Sequence, residues 1–451
     1  GKFMQPNKEQ QLQFVTDRLE SGTLQSVQRL VSVLHPAEIA HLLESLRPRD
    51  REIIWELVPV EFVGEVLVEL NDEVRVGLIE ATDDNALINA ADTLESDDLV
   101  DFLKDVPEVI LNTVLESMGQ QDRARVESVL NYDDDCAGGL MSLDTLSIRS
   151  DVNLNVVIRY LRLKGEIPKS TDKIIVVDRD DNFKGVLPLT ALLTYDGGER
   201  VENLMIKENV DVIQVQMPIE DIALLFEEHN LVSAPVLSES GKLLGRITID
   251  DVVDVIRDES DHSFMSMVGL DEEQDMFAPV LLSAKRRALW LGVNLCTALL
   301  ASWVIGVFEA TVDKIVVLAI LMPIVASMGG IAGSQTLTLF IRGLALRQIG
   351  RANVNSLVIK ELAIGLINGV VWAFFVGCIV SLWFDNINIG ILIAVALMIN
   401  LVFAALAGAS IPMVLQRLNI DPALAGGVIL TTVTDVLGFF VFLGLATIYL
   451  L

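Results

Sequence analysis

Along this chain the spacing of apolar residues changes twice. Up to about residue 135 they recur three and four apart, as in Ala37, Ile39, Ala40, Leu42, Leu43 and Leu46 and later in Ile53, Ile54 and Leu57, which predicts short amphipathic helices. Pro36, Pro48, Pro59 and Pro107 punctuate them near helix starts, where a missing N–H costs little. A small all-α superhelix over 1–135 is the expected outcome. From about Gly139 the pattern becomes β-branched runs, each followed by a turn and a helix. From Ala288 to Leu451 it becomes five long apolar segments with few charges, at roughly 288–308, 315–341, 362–383, 391–415 and 423–451, each about long enough to cross a bilayer.

The middle region repeats itself. Val176 to Leu187 parallels Val236 to Ile247 sixty residues later, each copy reading strand, polar turn, strand, helix. Leu140-Met141 and Leu204-Met205 open the two copies, and helical stretches around Val156 to Leu161 and Ile222 to Phe226 precede the strands.

Charge sharpens the division. Of the 451 residues, 285–451 hold nine Lys/Arg against six Asp/Glu, whereas the preceding 284 residues hold 24 against 56, so the first part carries the whole of the −29 excess. Lys285, Arg286 and Arg287 precede the first span, Arg342, Arg347, Arg351 and Lys360 lie between the second and third, and Arg417 lies between the fourth and fifth; Lys314 is alone on the other side. The positive-inside rule then puts the amino-terminal part in the cytoplasm and the carboxyl terminus outside. Through Thr23 the amino terminus is polar and has no signal-like apolar core. Cys136, Cys296 and Cys378 are far apart and form no CxxC pair, which fits a reducing compartment.

Asp250, Asp251, Asp254, Asp258, Glu259 and Asp261, then Asp271, Glu272, Glu273 and Asp275, make an acidic helix and linker leading to the basic triplet, with 258–284 as the linker segment. Such a run is commonly a solvated face. The alternative is divalent binding: with further acids at Asp83-Asp84, Asp97-Asp98 and Asp133 to Asp135, packing these surfaces together is repulsive unless hard cations screen them.

Within the spans, Gly329, Gly330, Gly333 and Ser334 and later Gly426 and Gly427 permit close helix contact, and packing explains them as well as a pore does. Asp435 is different, being the one acid placed deep inside a span, with Thr431 and Thr432 one turn earlier near its face. A carboxylate there costs at least ~2.5 kcal/mol and commonly marks an ion path, the alternative being a protonated or helix-bonded acid.

The repeated unit resembles a tandem pair of CBS domains, 136–257, with copies at about 139–200 and 201–257. The second copy matches the pattern glycine, two residues, Thr, two residues, Asp through Gly245, Thr248 and Asp251; the first reads Gly185 to Ala191 and lacks both Thr and Asp there. The resemblance implies ATP as a ligand centred on the second copy, Thr248 and Asp251 reaching a ribose; alternatively Thr248 caps the helix and Asp251 stabilises its first turn.

Taken whole, the order of a helical acidic domain, CBS pair, acidic plug-type helix and five spans over 285–451 resembles the MgtE magnesium channels and transporters. Pro323 with Gly329 to Gln335, Asp421-Pro422-Ala423-Leu424, and Thr434-Asp435-Val436-x-Gly438 carry the likeness. It implies a multi-domain, multi-pass inner-membrane protein and a homodimer with its pore between the second and fifth spans. Hydrated Mg2+ is held there by Asp435 and by backbone oxygens near Gly330 and Ala425. It further implies closure by cytoplasmic Mg2+ on acids such as Asp98, Asp250, Asp251, Asp254, Asp258, Glu259 and Asp421, with ATP adding to the bias. Ile331 and Ser334 stand where many members carry Asn, which removes two amide oxygens.

The chain has no phosphate-binding GxxxxGK[ST] loop, no GxSxG elbow and no HExxH spacing among His35, His41, His229 and His262, so no enzyme is expected. No basic stripe points to nucleic acid. Two rivals remain, a membrane-anchored nucleotide or metal sensor and a CBS-regulated anion channel, with a broader divalent (Co2+) transporter as a variant of the favoured class.

Overall fold

A computed structural model describes residues 8–21, 24–94, 96–165, 167–270, 275–350 and 352–450. It divides into two compact units, 1–260 with 273–278, and 261–272 with 279–451.

The first unit opens with short helices between Lys8 and Val129. Prolines start or precede several of them. Pro36 and Pro48 are first residues of Pro36–Glu44 and Pro48–Trp55, and Pro107 precedes Glu108–Ser117. His35 caps the first of these, its Nδ1 accepting from the Ala37 N–H while its own N–H donates to Glu38 Oε2 at 3.0 Å. The expected amphipathic face is buried: Ile39, Leu43, Ile54 and Leu67 are fully enclosed.

Two three-stranded sheets follow, β1 (Ser147–Arg149), β2 (Lys173–Val177) and β3 (Phe183–Pro188), then β4 (Ile213–Gln214), β5 (Ser233–Leu237) and β6 (Leu243–Thr248). In each the first two strands pair parallel and the last two antiparallel, and the register slips at Val176/Val177 and again at Val236/Leu237. The repeat thus extends to the placement of a bulge. Helices Leu154–Lys164 and Ile219–His229 cross between first and second strands, the latter ended by Asn230 in the left-handed conformation.

The segments that open the copies are exchanged. Ser142, just after Leu140-Met141, pairs with Arg246 of β6, and Ile206, just after Leu204-Met205, pairs with Val186 of β3. Glycine is required at both crossings: a Cβ on Gly185 would lie 2.3 Å from the Ile206 carbonyl oxygen, and one on Gly245 2.7 Å from that of Ser142. Met141 accordingly joins the core that holds Ile222, Phe226, Val236 and Ile247 together with the helical region, whereas Leu154, Val157, Ile174 and Leu187 form a separate core.

The second unit is built on five helices long and apolar enough to cross a membrane: Val280–Val307, Val317–Ala345, Val354–Trp383, Ile387–Arg417 and Pro422–Leu450. At 28 to 31 residues each runs ~42 to 46 Å, more than the ~30 Å of hydrocarbon. The fourth is the most enclosed and the first the least. Leu318, Leu321, Val325, Ile393, Ala396, Phe442 and Leu443 interlock the second, fourth and fifth. Gly408 explains how closely the second and fourth approach, since a Cβ there would lie 2.6 Å from the Gly333 carbonyl oxygen.

Candidate functional site

The fifth long helix begins at a built cap. Asp421 accepts from the backbone N–H groups of Ala423 at 2.8 Å and Leu424 at 3.2 Å through its two carboxylate oxygens, which satisfies otherwise free helix-start donors. Its Oδ2 also lies 3.3 Å from His262 Nε2, at the end of helix Ile249–Ser266, and Ser266 Oγ stands 3.5 Å from the same nitrogen. His229, by contrast, bonds to Asp211 through Nδ1 at 2.6 Å, away from any candidate site.

Further along, Leu424, Val428, Thr431 and Asp435 share one face by their spacing of four, three and four. Thr431 Oγ1 donates to the Gly427 carbonyl oxygen at 2.9 Å and Thr432 Oγ1 to that of Val428 at 2.7 Å, so each hydroxyl keeps lone pairs free of its own helix. Asp435 lies thirteen residues from Pro422, ~20 Å along the helix, and is half-buried. Among the described residues no side chain hydrogen-bonds to it or pairs with it.

The small residues of the second helix separate by environment. A Cβ on Gly329 would lie 2.4 Å from Asn400 Nδ2, and one on Gly333 would lie 2.9 Å from Leu430, so both are packing positions. Gly330 faces open space, next to exposed Ile331. With Ser327, Ser334 and Thr338, Ile331 forms an exposed stripe along this helix. In the fifth helix Gly426 packs on Leu337, whereas Ala425 is half-buried.

One expectation needs correction. Asp435 is not the sole acid within a long helix. The third helix starts at Val354 rather than near 362, which brings Glu361 inside it, 5 % exposed and accepting from Thr336 Oγ1 at 3.0 Å. The apolar run begins later than the helix because the adjacent Lys360-Glu361 pair interrupts hydropathy without interrupting the helix.

The regulatory acids are spread out. Asp250, Asp251, Asp254, Asp258 and Glu259 all lie on helix Ile249–Ser266, where Arg257 pairs with Asp254 at 3.2 Å and with Asp258 at 3.3 Å. Asp98 belongs to helix Ser96–Asp105. Among the described residues no three His, Cys, Asp or Glu side chains converge as a metal centre within one chain. Asp271, Glu272 and Glu273 lie outside the described residues. Glu69 does approach the acidic helix: loss of solvent first, and then the charge of Asp254, hold its carboxyl above the ordinary range. Asp254 is raised too, chiefly by loss of solvent.

In the second repeat, Thr248 is buried and its hydroxyl donates to Asp251 Oδ2 at 2.9 Å, with the Thr248 N–H on the same oxygen at 3.2 Å. Both partners therefore serve the start of their own helix. Arg246, two residues earlier, is 6 % exposed; it donates to Thr171 Oγ1 at 3.0 Å and the Lys169 carbonyl oxygen at 2.7 Å, while its Nε has no partner among the described residues. A buried guanidinium with a spare donor suits an anionic ligand. Its signal in the sequence was an arginine in the middle of a β-branched strand.

Comparison with known proteins gives three family matches: "Divalent cation transporter" over 322–445, "MgtE intracellular N domain" over 34–135 and "CBS domain" over 201–258. The chain is 28 % identical over 441 residues to the magnesium transporter MgtE of Thermus thermophilus, covering 96 % of this chain and 97 % of that one. It is 26 % identical over 434 residues to the magnesium transporter MgtE of Bacillus subtilis, covering 96 % of each. Among solved structures, the cytosolic domain of the Mg2+ channel MgtE in complex with ATP is 28 % identical, with a TM-score of 0.48, covering 53 % of this chain and 98 % of that one.

Proposed function

The chain belongs to the MgtE family of divalent cation transporters, and from that premise we propose that it admits Mg2+ passively through a pore built by two copies. The observation that carries this reading is Asp435, a half-buried carboxylate midway along a membrane-length helix, without a partner among the described residues. Paired with its twin across a two-fold axis, it would offer two carboxylates to one dication. Mg2+ sheds water reluctantly, so the hydrated ion is the species held, with the carboxylates, the Thr431 and Thr432 lone pairs and backbone oxygens near Gly330 and Ala425 acting through its water shell. In this arrangement the amino-terminal unit is cytoplasmic and the carboxyl terminus outside.

Feedback follows from the acids. Cytoplasmic Mg2+ bridging Asp98, Asp250, Asp251, Asp254, Asp258, Glu259 and Asp421 holds the pore shut, and when the ion is scarce their mutual repulsion favours opening. Thermodynamically the closed state must bind Mg2+ more tightly than the open one. Arg246, with Thr248 and Asp251 at the adjoining helix start, fits an anionic nucleotide, and ATP bound there would add to the same bias.

Flux into proteoliposomes tests the reading. Mg2+ uptake that Asp435→Ala abolishes is expected; no flux at all would leave a sensor, and chloride passage would indicate an anion channel. Protease sensitivity of the intact protein with and without millimolar Mg2+ tests the gating, and equal cleavage in both would overturn it.

A further inference from the structure

A second polar feature of the membrane unit lies apart from the Asp435 face: a cavity of about 280 Å³ among the second, third and fourth long helices. Glu361 is its buried acidic lining residue, with Oε2 accepting from Thr336 Oγ1, and Gln335, Lys360, Asn368 and Ile364, which also line it, are exposed. Among the described residues no cation pairs with Glu361, although Lys360 lines the same cavity.

Depth and charge define what could fill it. Glu361 is seven residues from Val354, ~10 Å along a helix of 30 residues that overshoots the hydrocarbon by some ~7 Å at each end. The carboxylate therefore sits only a few ångströms inside the hydrocarbon boundary, at the level where lipid headgroups meet acyl chains. A liquid-like water occupies ~30 Å³, so the cavity is larger than one bare ion needs. A divalent metal would find one carboxylate and a repelling ammonium, and among the described residues no group of three His, Cys, Asp or Glu side chains gathers there. A primary ammonium needs three acceptors, and the residues lining the cavity carry that number in the second Glu361 oxygen and the carboxamides of Gln335 and Asn368. Lys360, exposed at the rim, matches a phosphate.

We propose that this cavity seats the headgroup of an aminophospholipid, its ammonium on Glu361 and its phosphate on Lys360. Ile364 and the neighbouring apolar surface take the start of the acyl chains.

The test is thermal unfolding of the delipidated full chain in detergent, titrated with dioctanoyl phosphatidylethanolamine. Saturable stabilisation is expected, with dioctanoyl phosphatidylcholine, which lacks N–H donors, and dioctanoyl phosphatidylglycerol, which lacks the ammonium, each at least about tenfold weaker. Chainless O-phosphoethanolamine should also be weaker; equal potency would assign the site to a soluble ligand and overturn the lipid reading. Glu361→Gln and Lys360→Ala should each weaken the phosphatidylethanolamine effect about tenfold. If Glu361→Gln does not fold, Lys360→Ala decides, since that side chain is exposed. Equal potency of the three lipids, an unchanged Lys360→Ala, or a Mg2+-induced shift lost in Glu361→Gln would each overturn the proposal. So would loss of dimer in the variants without any lipid preference, which would make the cavity a subunit contact.

Discussion

Asn400 donates from Nδ2 to the Val325 carbonyl oxygen at 2.9 Å, tying the fourth long helix to the second beside Gly329. The same side chain fills the space left by two glycines, since a Cβ on Gly438 would also fall 2.9 Å from Asn400 Nδ2. Gly329→Ala should therefore destabilise the protein by about 1–3 kcal/mol through overpacking. Adding Asn400→Ala should recover part of that loss, a coupling that a double-mutant cycle of detergent-solubilised protein would measure.

Arg51 and Asp275 form a two-pronged pair at 2.9 and 3.1 Å, each 6 % exposed. Arg51 also donates to the Leu43 and Leu46 carbonyl oxygens, and the Asp275 N–H donates to Glu73 Oε2. Removing one partner leaves the other charge buried. Asp275→Ala should cost about 3–5 kcal/mol, and replacing both by apolar residues of similar size should cost less. Hydrogen exchange across Pro48–Trp55 would show the difference.

Glu69 and Asp254 give stability a defined dependence on pH. Both carboxyls are held above their ordinary range, so the folded chain binds these protons more tightly than the unfolded chain. Their contribution is complete below the ordinary carboxylate range and is lost as pH rises through the raised folded values. Glu69→Gln should make the first unit more stable than the parent at neutral pH, with the gap closing below about pH 4. Protease susceptibility of the full chain from pH 4 to 8 would follow it, and added Mg2+ should narrow the neutral-pH gap.

At the head of the fifth helix, Asp421 combines a cap with the His262 contact. Asp421→Ala should lose about 0.5–2 kcal/mol of local stability, seen as faster exchange of the Ala423 and Leu424 amides. Asp421→Asn keeps an acceptor and should retain most of that protection while weakening the His262 contact, which lacks its carboxylate partner.

Element type and the five membrane-length helices followed from the order of residues, because hydrophobic period and span length are local properties that one chain segment expresses alone. So did the sixty-residue repeat and Asp435, an acid isolated by apolar neighbours on both sides. Pairings between distant residues were set by folding. Nothing in Leu140-Met141 or Leu204-Met205 announced that each copy's opening segment lies against the other copy's strand, since both sheets have the same strand order and each offers a glycine, Gly185 or Gly245, where a crossing segment can approach. Glu361 was hidden for a related reason. Its charge ended the apparent apolar run, and its burial became visible once Thr336, 25 residues away in the sequence, was brought within 3.0 Å by packing of the second and third helices.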